Sequence, residues 1–62
     1  MMEEELRQLL KEQGWNLFIR RRKEKKYYYA QKWRRGEVYI SPESRLEQIT
    51  EEQVLEKLAK AL

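Results

Sequence analysis

All seven aromatic residues of the chain fall between Trp15 and Tyr39, and residues 15–36 carry nine Lys and Arg against the single acid Glu24. Cations at that density neutralise phosphates, and flat rings among them stack on bases. The chemistry these residue types offer is therefore recognition of a polyanion rather than the making or breaking of bonds. The concentration is local: residues 1–14 sum to −2, residues 15–36 to +8 and residues 37–62 to −3, leaving +3 for the whole chain. A solvated sheet face whose rings form the core has the same composition, so geometry must decide between the two.

The chemistry that is missing narrows the function further. His and Cys are absent and all eleven acids are Glu, which removes the usual general base, thiolate nucleophiles and Cys- or His-based metal sites. Ser41, Ser44 and Thr50 are the only alcohols outside Tyr, with no His to activate them. Glu3, Glu4 and Glu5, like Glu51 and Glu52, read as helix N-terminal charges rather than metal ligands. Gly14 and Gly36 are the only glycines, too few for a phosphate-cradling loop. The expectation is a non-enzyme with no cofactor, no metal and no small-molecule substrate.

Size sets the scale of what must position the cations and rings. Sixty-two residues form one small domain, 1–62. A chain of that length buries only about 60% of its unfolded surface. Charged residues make up 40% and mean hydropathy is −1.06, values compatible with disorder, but the hydrophobic 40% supplies a core. No stretch approaches the ~20 apolar residues of a membrane span, and the opening segment does not read as a signal peptide. The absence of Cys fits a reducing compartment, so the expected location is cytoplasmic.

Periodicity predicts helix, three strands, helix. Met2, Leu6, Leu9 and Leu10 make one apolar stripe of a helix over 2–13, with Gly14 as the left-handed residue beyond its end. From Trp15 the period becomes two: Trp15, Leu17, Ile19 and Arg21 face one way, Asn16, Phe18, Arg20 and Arg22 the other. Turns are expected at 22–25 and at Arg35-Gly36, with strands over 26–34 and 37–41 between and after them. Ser41 is placed to cap and Pro42 to begin a loop or single helical turn over 42–49. Thr50 and Gln53 match a capping box, with Ile49 and Val54 as a hydrophobic staple, and open a helix over 50–61. Its apolar face is Val54, Leu55, Leu58, Ala59 and Leu62. The fold class is α+β, an antiparallel meander with both helices packed on one face.

Strand 2 admits two registers. A two-residue turn at Arg35-Gly36 pairs Trp33 with Val38 and sends Tyr27, Tyr29 and Trp33 inward. A three-residue turn pairs Lys32 with Val38 and sends those rings outward. Burying three large rings and keeping Lys32 and Arg34 out of the core favours the first. The outer face is then Phe18, Arg20, Arg22, Tyr28, Lys32, Arg34 and Tyr39, with Lys23, Lys25 and Arg35 in the turns. In the other register Tyr27, Tyr29 and Trp33 join that face, a more strongly stacking surface suited to single strands.

The element order resembles that of double-stranded-RNA-binding domains. The meander followed by a helix, over about residues 15–60, also resembles the arm-site DNA-binding domains of tyrosine recombinases, which lay a sheet face into the major groove. The segment 26–36 (KYYYAQKWRRG), then Ser41-Pro42 and a capped helix, is similar to short uncharacterised bacterial proteins, cyanobacterial ones among them. The expected function is nucleic-acid binding, DNA or RNA, by the basic aromatic sheet face. The alternative is an adaptor whose cations meet an acidic protein surface.

Overall fold

The computed structural model describes residues 1–61, and its first element, α1 (Glu3–Glu12), is one residue shorter at each end than expected, with Met2, expected on its apolar stripe, standing exposed at the N-cap position. The carboxylate of Glu5 accepts from the Met2 backbone N–H at 2.9 Å, satisfying one donor before the first turn. At the other end Gly14, at φ +82°, lets the Gly14 N–H donate to Lys11 O at 3.0 Å and the Trp15 N–H to Leu10 O at 2.7 Å. That pair of bonds is the Schellman closure, and it delivers Trp15 into the same core as Leu10.

Three strands follow, β1 (Asn16–Arg22), β2 (Lys25–Lys32) and β3 (Gly36–Pro42), antiparallel in the order β1-β2-β3. The β1–β2 turn has only Lys23 and Glu24 between the strands, both left-handed at φ +46° and +67°. This is the hairpin geometry that normally selects Asn-Gly. The β2–β3 turn matches neither expected pairing: it is a three-residue link, Trp33-Arg34-Arg35, one residue earlier than the longer alternative. Lys32 therefore faces Gly36, and Ala30 rather than Lys32 pairs with Val38, with Arg34 at φ +66° and Gly36 at +85°.

That turn corrects the register favoured from sequence. Tyr28 and Ala30 point to the helices, while Tyr27, Tyr29 and Trp33 do not. The expectation failed on the cost assigned to an inward Lys32. Its side chain lies across Trp15 with the amino group 5.3 Å from the ring centroid, so the stem covers apolar surface while the residue stays half-buried. Opposite Tyr28 the ladder slips by one residue, since Tyr29 pairs with Tyr39 but Tyr28 with Ser41. Ile40 is the extra residue of this bulge, and both Ile40 and Ser41 are buried. Ser41 is thus part of β3 rather than a helix cap. Pro42 is the last residue of the strand and opens a 3₁₀ helix over Glu43–Gln48 that buries Leu46.

The capping box of α2 (Glu51–Lys60) is formed as expected: Thr50 Oγ1 accepts from Gln53 N–H at 3.2 Å, and Gln53 Oε1 from Thr50 N–H at 2.9 Å. Val54 and Leu58 are buried and Leu55 half-buried, whereas Ala59, expected on this face, is exposed. Leu62 lies outside the described residues. One core joins Leu6, Leu9 and Leu10 of α1, Val54 and Leu58 of α2, and Trp15, Tyr28, Ala30, Ile40 and Leu46 between them. Both helices therefore use the same sheet face, and the architecture is the expected α-β-β-β-α.

Candidate functional site

The face turned away from the helices is a set of cross-strand rows. The central row is aromatic: Phe18 of β1 lies opposite Tyr29 of β2, and Tyr29 opposite Tyr39 of β3. The Tyr29 and Tyr39 rings meet edge to face, centroids 5.4 Å apart at 62°. Phe18 remains 36% and Tyr39 44% exposed, so the row presents ring surface to solvent. One step toward the β1–β2 turn, Arg20 pairs with Tyr27. The Arg20 guanidinium sits 5.1 Å from the Phe18 centroid and 5.2 Å from that of Tyr29, and forms an ion pair with Glu37 of β3. Arg20 is thus tethered across the row by an acid on the far strand. Phe18, Arg20, Arg22, Tyr27, Tyr29 and Tyr39 line one open concavity.

Cations bound the aromatic row at both ends. At the β1–β2 end Arg22 lies directly opposite Lys25 on this face, while the next pair, Arg21 opposite Lys26, has the helix-facing parity of Ile19 and Tyr28. Like charges in directly opposed cross-strand positions destabilise a hairpin. Only Lys26 is compensated, by Glu3 at 3.5 Å and Glu43 at 3.4 Å; Arg21, Arg22, Lys23 and Lys25 have no ion-pair partner among the described residues. At the other end a polar row of Asn16, Gln31 and Glu37 leads to the turn holding Trp33, Arg34 and Arg35.

Most expected site residues are brought together, but not all. Phe18, Arg20, Arg22 and Tyr39 share the outer face, and Lys23 and Lys25 stand at its β1–β2 end. Tyr28 and Lys32 belong to the inner face, the former 1% exposed, and Arg34 is in the turn beside Arg35 instead of on the sheet. Tyr27 and Tyr29, which ring burial predicts for the core, lie on the outer face, and Trp33, predicted there too, lies in the turn. The signal that could have found them is Ala30: a small residue in a tyrosine-rich strand marks where helices approach closely, and its parity carries Tyr28 inward.

Tyr28 has a structural task. Its hydroxyl donates to Glu3 Oε1 at 2.8 Å, fastening the start of α1 to the sheet. Burial, then the bond to Glu3 and its charge, push the Tyr28 phenol up to about 12. The same hydrogen bond, followed by Lys26 and Arg7, outweighs desolvation and holds the Glu3 carboxyl below its usual range. A phenol raised on folding stabilises fully below its unfolded value near 10 and loses that contribution as pH climbs through the folded one. A depressed carboxyl contributes above its unfolded value and loses that as pH falls through the folded one. Melting temperature is therefore expected to fall between pH ~10 and about 12 more steeply in wild type than in Tyr28→Phe. Parallel pH–melting curves for the two proteins would contradict the assignment.

The scaffold is thus an open-faced α+β domain whose uncovered sheet face carries a ring-and-cation surface. No family model, curated protein or solved structure matches the chain. Among the described residues no helix is long and apolar enough to cross a membrane.

Proposed function

We propose that the protein is a non-catalytic nucleic-acid-binding module, and that the uncovered sheet face is its interface. The observation that carries this reading is the pairing of Arg22 with Lys25 at the edge of a solvent-facing aromatic row. A fold that sets like charges face to face, with Lys23 between them, is stabilised by an anion that bridges them, and a phosphate backbone supplies a row of such anions. Phe18, Tyr29 and Tyr39 then offer bases a surface that is adjacent to the backbone track. Arg20 joins them once it leaves Glu37, so the ion pair competes with the ligand for the same guanidinium.

Binding is expected to weaken with salt, the log–log slope growing by about 0.7–0.9 for each phosphate neutralised. Arg22→Ala and Lys25→Ala should each reduce that slope by roughly one such increment, whatever the probe sequence. Glu37→Gln should act in the opposite direction and tighten binding, because it frees Arg20 and removes a negative charge from the interface. Fluorescence anisotropy with single- and double-stranded probes at several salt concentrations reads all three. Failure of the folded wild-type protein to bind either probe at ~50 mM salt would end this reading.

A further inference from the structure

Among the described residues Trp33 is the most exposed large hydrophobic one, at 85%, while the other Trp, Trp15, is 2% exposed. A ring of that size left in water is unusual for a core-starved chain of 62 residues. Nor does a tight turn demand it: Trp33 opens the link Trp33-Arg34-Arg35, held by Arg35 N–H donating to Lys32 O at 2.9 Å. Non-glycine Arg34 in the left-handed region adds strain there. Arg34 and Arg35 have no ion-pair partner among the described residues. A strained turn thus presents one ring and two uncompensated cations.

Building on the sheet-face reading, we propose that the ligand is single-stranded nucleic acid and that Trp33 stacks on a base beyond those lying on Phe18, Tyr29 and Tyr39. Trp33 follows the last residue of β2 and lies on the order of 10–14 Å along that strand from Tyr29, too far for both rings to take one base. Between them the row Asn16, Gln31 and Glu37 offers hydrogen-bonding groups to base edges. Arg34 and Arg35 take phosphates at this end as Arg22 and Lys25 do at the other. In a duplex the base faces are covered by their stacked neighbours, so neither the row nor Trp33 finds its partner. In an unpaired strand both do.

The two tryptophans make the test direct, because a soluble quencher reaches Trp33 and not Trp15. The probes are a single-stranded oligothymidylate of about 12 nucleotides, its duplex with oligoadenylate, and phosphatidylserine vesicles. The single strand should bind more tightly than the duplex and shield Trp33 from the quencher. Trp33→Ala should bind it about five- to 150-fold more weakly, with the salt slope and melting temperature unchanged, and Trp33→Phe should retain most of the affinity. Unchanged affinity in Trp33→Ala with Trp33 open to quencher in the wild-type complex would overturn the Trp33 contact and leave the sheet-face reading standing. Equal or tighter duplex binding would overturn the single-strand assignment. Loss of binding to both nucleic acids would remove the sheet-face reading itself. Shielding by vesicles but not by the oligonucleotide would assign the turn to a membrane surface and overturn the proposal.

Discussion

Tyr28→Ala is expected to cost about 3–5 kcal/mol, whereas Tyr29→Ala, one residue away, should cost about 1 kcal/mol or less. The difference comes from the side of the sheet each ring occupies. Tyr28 is buried to 1% exposure among residues of both helices and anchors Glu3 through its hydroxyl. Its loss removes the transfer free energy of a large ring, opens a cavity and leaves the Glu3 carboxylate without its closest donor. A domain of this length has roughly 3–9 kcal/mol of stability in total, so this loss takes about a third of it or more. Tyr28→Phe keeps the ring and loses only the hydroxyl, and should fold with a loss of about 1–3 kcal/mol. Tyr29 contacts Tyr39 and Arg20 on the open face and no helix covers it. Chemical denaturation of the three variants measures the contrast. Equal losses at Tyr28 and Tyr29 would refute the register.

The double variant Tyr29→Ala/Tyr39→Ala is expected to lose about 2–6 kcal/mol of nucleic-acid affinity while melting close to wild type. Each stacked base contributes about 1–3 kcal/mol, and two adjacent platforms are removed together. The two rings also touch, at 5.4 Å between centroids, so the double loss will differ from the sum of the single ones. The salt slope should hardly change, because neither residue carries charge. Variants at Arg22 and Lys25 change the slope and leave stacking alone. Titrations of these variants at two or more salt concentrations separate ring contacts from phosphate contacts. A double tyrosine variant that binds like wild type would show that the aromatic row is a packing device.

How far the fold was readable depended on the sequence distance over which each feature is decided. Thr50 with Gln53, and Gly14 after Leu10, are local arrangements whose partners lie within a few residues, and both formed as read. The helix stripes at Leu6, Leu9 and Leu10, and at Val54 and Leu58, were equally local. The register of β2 was not. Because side chains alternate along a strand, one residue in a turn exchanges Tyr28 and Ala30 for Tyr27 and Tyr29. The contacts that tip the choice join remote segments: Tyr28 to Glu3, and Lys32 to Trp15. Counting rings overstated the inner face, since Trp15 and the helix leucines already fill it, and it treated Lys32 as a bare charge rather than a long apolar stem. The bulge at Ile40 was hidden for a related reason: nothing in the local string Tyr39-Ile40-Ser41 announces that two successive residues turn inward. The basic-aromatic character of the candidate surface was plain from composition, but which tyrosines belong to it was a question of parity.

The cation-rich β1–β2 turn also ties the domain's folding to its surroundings. Closing that hairpin gathers Arg21, Arg22, Lys25 and Lys26 around the left-handed pair Lys23 and Glu24, the latter the only acid within the segment. Mobile ions that screen these charges ease closure, yet the same ions compete with a bound polyanion. Salt therefore drives the free and the occupied protein in opposite directions, raising the melting temperature of one while loosening the complex of the other. A polyanion that binds only the closed hairpin adds RT ln(1 + [L]/Kd) to stability. It serves the chain as a counterion that helps complete its folding.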